Sequence, residues 1–535
     1  MAARPGTSGA ALSAARRPAA MVALVACLLA PSVAGAQPFE LLEATIDDVH
    51  AALAAGRLTC RQLVQGYLDR IAAYDQAGPA LNAVQHVNPG AREAADALDA
   101  AFAESGPVGP LHCAPVLLKD QVETRDLPTT YGSALFDGFV SGRDATIVTR
   151  LEAAGAIILA KTNMGEFASR YVGSAFGVIR NAYDPTRNPS GSSGGTGAGI
   201  AANFGLVGIG EDTGGSTRGP AAVHALVGLR PTVPLVSRFG MMPANPSSDT
   251  LGPITRTVRD AALVLDAIAG YDPQDPVTAY AAGRVPDSYA ADLEAGGLRG
   301  ARIGIIRNAL DPKTDPEADD YRQVRAVLDR AFADLEALGA TVVDPVTVAG
   351  LDAVDATYVG NDFETEAATD AYLETLPDAP VGSLRDILVS GVVTPWRARG
   401  LIDVVGKSTA DPGYLVILQA REELRRAVLT AMADHELDAL AYATFDHSPA
   451  PIAPDNLTSA DTEDAYGVGN NRYLSPVIGF PALTLPAGLT ADGLPVGLEL
   501  LGRPFTEAAL LRLGYAYEQG TRRREPPRTT PPLAP

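Results

Sequence analysis

Between Gly191 and Pro220 the chain reads G-S-S-G-G-T-G-A-G-I-A-A-N-F-G-L-V-G-I-G-E-D-T-G-G-S-T-R-G-P. Two clusters rich in glycine and hydroxyl residues, Gly191–Gly199 and Asp212–Arg218, bracket the small apolar run Ile200–Ile209. Glycine permits close backbone approach and positive φ, so each cluster can form a tight loop. A flexible linker has a similar composition. The apolar middle, however, suggests a buried helix running into a strand, which a linker does not contain. The stretch therefore reads as a backbone that holds two hydroxyls and several N–H groups around one reacting atom. Upstream, Pro115-Val116-Leu117-Leu118 follows Gly109-Pro110 as a short apolar run. That is the pattern of a buried strand, and it delivers Lys119 and Asp120 at its end.

Several chemistries can be weighed against these residues. Gly191-x-Ser193-x-Gly195 matches G-x-S-x-G, the nucleophile elbow of Ser-His-Asp α/β-hydrolases, and would select Ser193. Inside a Gly/Ser run that match carries little information. His224, His435 and His447 are available as partners, but nothing around them singles one out. A phosphate loop needs G-K-[ST] after its glycines, and no lysine follows here. His435-Glu436 has Ala439 where the second histidine of a zinc motif would stand, and no other metal-ligand set is visible.

Lys119, Ser192 and Ser216 remain, and around them the sequence resembles the amidase signature family. The resemblance rests on G-P-L-H-C-A-P-V-L-L-K-D (Gly109–Asp120), G-S-S-G-G-T-G-A (Gly191–Ala198) and E-D-T-G-G-S-T-R-G-P-A (Glu211–Ala221), in that order. It spans about residues 44–275 and about 438–519, and the residues between resemble the family only loosely. Cys113 stands where many members have Gly. The resemblance implies a Ser-Ser-Lys triad: Ser216 as nucleophile, Ser192 as the bridging serine behind a cis peptide bond, and Lys119 as base. It also implies an oxyanion hole made by the backbone N–H groups of Thr213, Gly214, Gly215 and Ser216, such donors being worth roughly 3–4 kcal/mol each in the transition state. Asp212 and Arg218 would hold the loop by an ion pair or hydrogen bonds.

The physical case agrees. A serine hydroxyl is a poor nucleophile until a base takes its proton. Burial disfavours the charged form of lysine and brings its pKa towards neutrality. A neutral Lys119 can then draw the Ser216 proton through Ser192. The implied activity is hydrolysis of a C–N amide bond in a small molecule through an acyl-enzyme, with no metal or organic cofactor. The alternatives are a non-catalytic binding protein on the same scaffold and an A-type subunit of a glutamine-dependent amidotransferase.

Positioning such groups takes an α/β core. Leu41–Leu53, Cys60–Tyr74, Ala91–Ala103 and Thr146–Ala154 read as helices, and Ala156–Ala160 reads as a strand. Alternation of strand and helix indicates an α/β sheet, and the family's fold is a mixed twisted sheet flanked by helices. Val258–Ile268 reads as a helix. Ile303–Ile306, a helix with Val324, Val327, Leu328, Phe332 and Leu335 on one face, and Thr341–Val343 form a βαβ unit. The rest of residues 271–440 is acidic and irregular with helical patches. With the residues after Lys119 and those near Met164–Tyr171, that region is expected to build the acyl pocket. Ala482–Pro486, Pro495–Leu501 and a helix over Glu507–Gln519 return to a core pattern, which closes an amidase domain over residues 37–521. Arg522–Pro535, basic and Pro-rich, reads as a disordered tail.

The chain has 535 residues, 47% hydrophobic and 20% charged, with a net charge of −21. That balance argues against a nucleic-acid partner, which needs a basic face. No later apolar run reaches membrane-spanning length, so stable membrane insertion is not expected. Arg16-Arg17, the apolar run Met21–Ala30 and Ala34-Gly35-Ala36 form an export signal over residues 1–36, cleaved before Gln37. The address is then the periplasm or the exterior. Leu24-Val25-Ala26-Cys27 is a lipoprotein-box alternative. Of three cysteines, Cys60 and Cys113 lie beyond the signal and can be a disulfide or two buried thiols.

Overall fold

In the computed structural model, residues 39–360, 362–462 and 464–533 are described, and the apolar run before Lys119 is a central strand. The first strands are β1 (Val84–Val87), β2 (Pro115–Lys119), β3 (Ile157–Thr162) and a short hairpin of β4 (Val172–Gly173) and β5 (Gly177–Val178). Then come β6 (Val207–Glu211), β7 (Val227–Arg230), β8 (Leu251–Thr255), β9 (Arg302–Ile305) and β10 (Thr341–Val343). The last are β11 (Ala439–Ala443), β12 (Ala482–Leu489) and β13 (Pro495–Leu501). All but the hairpin join one mixed sheet, ordered β1-β3-β2-β6-β8-β7-β12-β13-β11-β9-β10.

β2 pairs in parallel with both β3 and β6. Every residue of β2 is buried, which is why the strand reads as an unbroken apolar run rather than an alternation. Leu118 sits opposite Ile209, so Lys119 and Glu211 emerge side by side at the carboxyl ends of neighbouring parallel strands. In α/β sheets this is the edge where ligand sites form.

In the Gly/Ser stretch the helix lies earlier than expected, largely in the first glycine cluster and not in the apolar middle Ile200–Ile209. Gly194–Ala201 is a helix packed on β2 and β6, and the chain then enters β6. Glycine inside a helix costs up to about 1 kcal/mol against alanine. Here a Cβ at Gly195 would overlap the carbonyl oxygens of Asn163 and Ala83, so only glycine lets this helix lie so close to the sheet.

Other elements follow the sequence with small shifts. The first helix spans Ile46–Ala54 and not Leu41–Leu53, because Thr45 caps it in a reciprocal box with Asp48. Cys60–Tyr74 is helical as expected, capped by Thr59 and Gln62. β9, the helix Asp319–Ala337 and β10 form the expected βαβ unit, with Val324, Val327, Leu328, Phe332 and Leu335 all buried.

The described residues of 354–434 contain five helices: Val354–Val359, Thr365–Glu374, Leu384–Val389, Pro395–Ile402 and Pro412–Asp434. The middle three contribute Leu373, Leu384, Ile387 and Leu401 to a separate apolar cluster with Tyr131, Phe136, Phe167 and Met242. The acidic stretch is thus folded down onto the loop that follows β2.

Two readings are settled by long-range partners. Residues 522–533 are packed against the body, which corrects the disordered-tail reading for them. Arg524 Nε meets Glu43 Oε2 at 2.6 Å, and the buried Arg70 donates to the carbonyls of Thr530 (2.8 Å) and Pro531 (3.0 Å). Two of the tail's arginines answer acids of the body, Arg524 at Glu43 and Arg523 at Asp334, and its carbonyls satisfy an arginine buried in the second helix. Cys60 and Cys113 form a disulfide. The leader, residues 1–36, lies outside the described residues. No described helix is long and apolar enough to cross a membrane.

Candidate active site

Lys119 is fully buried, and its Nζ lies 2.7 Å from Ser192 Oγ and 2.8 Å from Glu211 Oε2. Burial pushes its pKa below the usual lysine value, against the opposing pull of the Glu211 carboxylate. The Gly191–Ser192 peptide bond is cis, as the resemblance implies. The rival serine is differently placed. Ser193 Oγ donates to the Glu211 carbonyl (3.2 Å) and accepts from the Glu211 N–H (3.3 Å), with no exposed surface. Its hydroxyl ties the helix Gly194–Ala201 to β6 and faces no cleft.

The loop after β6 is organised by Asp212. Its Oδ1 accepts from the Gly215 N–H (2.7 Å) and from Arg230 Nη1 (2.9 Å). Its Oδ2 accepts from the Thr217 N–H (3.2 Å) and from Arg218 Nε (3.2 Å). Burial alone would raise the pKa of Asp212, but the Arg218 and Arg230 guanidiniums hold it well below the carboxylate range. Arg218 in turn pairs with Glu499 on β13 and donates to the Arg472 carbonyl (2.9 Å). Arg472 reaches back to the Gly215 carbonyl (3.0 Å). The expected support role of Asp212 and Arg218 therefore has a concrete form: a fully buried ion network that fixes a loop of small residues.

One of the four expected oxyanion donors is already committed. The Gly215 N–H points to Asp212, at a backbone φ of +99° that favours glycine. The N–H groups of Thr213, Gly214 and Ser216 take no partner among the described residues. Ser216 itself is 9% exposed and, with Gly214, lines a cleft of about 550 Å³ whose walls include Arg170, Tyr358, Trp396 and Arg472. Ser192 donates no hydrogen bond to Ser216 and accepts none from it; catalytic contacts of this kind often tighten only in the substrate complex. The structure thus brings Lys119 and Ser192 together and sets Ser216 at the cleft.

Histidine is not part of this site. His224 Nδ1 donates to the Pro220 carbonyl (2.8 Å), Nε2 accepts from the Ala182 N–H (3.2 Å), and burial lowers its pKa to about 4. His447 lies between Asp320 and the Asp315 N–H, and His435 is exposed at a helix end. Among the described residues, no group of His, Cys, Asp and Glu is arranged to hold a metal ion.

Reasoning from sequence missed Glu211, Arg230, Asp249, Arg472 and Glu499. Only Glu211 left a signal, as a charged residue closing the apolar strand Val207–Glu211 beside the strand that ends in Lys119. Arg230 follows the last motif by nine residues and the others lie far from the motifs in sequence, with nothing local to mark them.

A cavity next to the cleft is lined by Gln121, Tyr131, Met164, Met242, Leu384 and Ile387, among others. All of these but Met242 lie in the three segments expected to build the acyl pocket; the stretch Met242–Ala244 is a fourth that the sequence does not point to. Ala168 lines both the cavity and the cleft.

The Amidase family profile matches residues 62–511. Over 493 residues the chain is 37% identical to the A-type subunit of a glutamyl-tRNA(Gln) amidotransferase from Myxococcus xanthus, covering 90% of this chain and 98% of that one. It is 33% identical to a probable amidase of Arabidopsis thaliana over 92% of each chain. Among solved structures, the native peptide amidase of Stenotrophomonas maltophilia matches with a TM-score of 0.82 at 37% identity, over 92% of this chain and 100% of that one. Profile, relatives and fold agree with the three sequence motifs, and the chain belongs to the amidase signature family of C–N hydrolases.

Proposed function

We propose that this protein is an exported serine amidase that cleaves a C-terminal amide of a peptide-like substrate through an acyl-enzyme on Ser216. The observation that carries the reading is the buried Lys119 amine 2.7 Å from the Ser192 hydroxyl, beneath a cleft that Ser216 lines. Neutral Lys119 takes the Ser192 proton as Ser192 takes that of Ser216. Ser216 Oγ attacks the amide carbonyl, and the N–H groups of Thr213, Gly214 and Ser216, unpartnered among the described residues, receive the oxyanion. The proton returns through Ser192 to the leaving nitrogen, and water then releases the acid.

The lining of Tyr131, Met164, Met242, Leu384 and Ile387, with Gln121 and Arg397 as polar members, supports a mainly apolar acyl group. It disfavours glutamine, the polar amide that the alternative amidotransferase reading requires. The free space there is about 20 Å³, little more than one water, so an acyl group displaces these side chains as it enters. The test is ammonia release from peptide C-terminal amides, aryl amides, fatty amides, urethanes and glutamine. Peptide amides with an apolar last residue should turn over fastest. Glutamine as the sole substrate would overturn the reading.

Export is supported by the leader pattern and by the Cys60–Cys113 disulfide, a bond at home in an oxidising compartment. N-terminal sequencing from the native host should begin at Gln37. A cytoplasmic protein starting at Met1, or a lipid-modified Cys27, would contradict it.

A further inference from the structure

Lys119 has a second partner besides Ser192, and behind that partner lies a buried chain of oxygens. Glu211 Oε2 is 2.8 Å from Lys119 Nζ, and Glu211 Oε1 is hydrogen-bonded to Thr213 Oγ1. Thr213 Oγ1 also lies 2.7 Å from Asp249 Oδ1. Lys119, Glu211 and Asp249 are all at most 1% exposed, so no bulk water shares these contacts.

The hydrogen count of this chain is restrictive. A threonine hydroxyl has one hydrogen, yet Thr213 stands between two carboxyl oxygens. Two ionised carboxylates would leave one oxygen facing a lone pair, so one carboxyl carries a proton. The ion pair decides which: Glu211 Oε2 faces Lys119 Nζ at 2.8 Å, whereas Asp249 meets no cation at salt-bridge distance among the described residues, and the backbone only selects which Asp249 oxygen is free to hold the proton. Asp249 Oδ2 accepts the N–H groups of Ala244 (2.9 Å) and Asn245 (2.9 Å), the second also reaching Oδ1 at 3.0 Å. Oδ1 is left as the oxygen that donates to Thr213. Thr213 then donates to Glu211, and Glu211 stays ionised against Lys119. Burial and the neighbouring Glu211 carboxylate raise the Asp249 pKa, in the same sense.

We propose that Glu211 is a positioning residue that aims the Lys119 amine at Ser192 and balances the ammonium formed when Lys119 takes the proton, with Thr213 and protonated Asp249 holding Glu211 in place. In the step itself the Ser216 proton passes to Ser192 and the Ser192 proton to Nζ, so Nζ becomes an ammonium and Glu211 gains no proton. The inference rests on Lys119 being the base. Other charged groups near this chain are Asp212, held by Arg218 and Arg230, and Arg238 near Asp249; the partly buried Tyr358 stands in the cleft wall against Gly214. None of them touches Lys119 Nζ.

The test is the pH profile of kcat/KM and of fluorophosphonate labelling for four variants. Removing the Glu211 charge destabilises the Lys119 ammonium. In Glu211→Gln the acid limb should therefore move to lower pH, by about one to three units, with a lower plateau because the base is weaker. Glu211→Thr runs alongside, since it removes the same charge from a smaller side chain. Asp249→Asn, whose amide can donate to Thr213 as the protonated acid does, should keep the limb where the wild type has it. Lys119→Ala should lose labelling throughout. An unmoved limb in both Glu211 variants, with Lys119→Ala inactive, overturns the role of Glu211 and leaves the triad standing. Complete loss of labelling at every pH in folded Glu211→Gln would make Glu211 the base, which also overturns it. A limb that moves a full unit in Asp249→Asn overturns the proton assignment. Labelling that survives Lys119→Ala instead removes the triad on which the inference rests.

Discussion

Ser216→Ala should lower kcat/KM by about 10⁴-fold or more while leaving the fold intact, the usual scale for removing a nucleophile. The two halves of this expectation have separate causes. The activity falls because, among the described residues, no other hydroxyl lines the cleft beside Gly214 on a loop with unpartnered N–H groups. The fold persists because the Ser216 side chain lies at the cleft surface, so truncation strands no buried partner. Ser193→Ala should behave in the opposite way. It removes a hydroxyl that bridges to the backbone of Glu211, costing about 1 kcal/mol of stability while retaining much of the activity. Steady-state kinetics on a peptide C-terminal amide, together with thermal melts of both variants, check the pair. Ser216→Ala within tenfold of the wild type would contradict the assignment.

Lys119→Ala should match Ser216→Ala in lost activity and exceed it in lost stability. Its neutral amine is the acceptor that the Ser192 proton needs, and once protonated it is the cation that faces the buried Glu211 carboxylate. Breaking a buried pair by removing one partner costs about 3–5 kcal/mol, because it leaves a charge without compensation. Lys119→Arg should fail as a base as well, since a guanidinium stays protonated at any workable pH. In the wild type the neutral amine is the active form. Burial lowers its pKa, so kcat/KM should rise with pH through that lowered value and level off above it. No histidine variant should remove this limb, and His224→Ala is the sharpest control because both ring nitrogens of His224 are already bonded to the backbone. A Lys119→Ala protein that acylates normally, with a histidine variant that does not, would contradict the mechanism.

How much of this is legible in the sequence depends on how local the cause is. β2 and β6 can be read from short apolar runs, and the helix Val258–Ile268 lies where periodicity puts it, whereas the helix Gly194–Ala201 falls in a glycine cluster that reads as a loop. β7 and β8 escape such a reading. Val227–Arg230 runs directly into Pro231, and Leu251–Thr255 contains Gly252-Pro253, so both look like turn sequence although they pair inside the sheet. The ion network on Asp212 is half visible. Arg218 lies six residues away and invites pairing, whereas Arg230 and Glu499 arrive from other strands. The tail has the composition of a disordered segment, and partners far upstream, among them Glu43, Arg70 and Asp334, make it pack. Glu211 stands inside a motif without an evident role, because the parallel register that sets it beside Lys119 is a property of the sheet.

The central claim is that Ser216 is the acylated residue, and the most direct measurement is the site of a covalent adduct. Protein beginning at Gln37, treated with a fluorophosphonate, digested and sequenced by mass spectrometry, should carry the adduct on the Ser216 peptide alone. Labelling should vanish in Ser216→Ala and persist in Ser193→Ala. An adduct on Ser193 that survives Ser216→Ala would contradict the account and return the chain to a nucleophile-elbow chemistry.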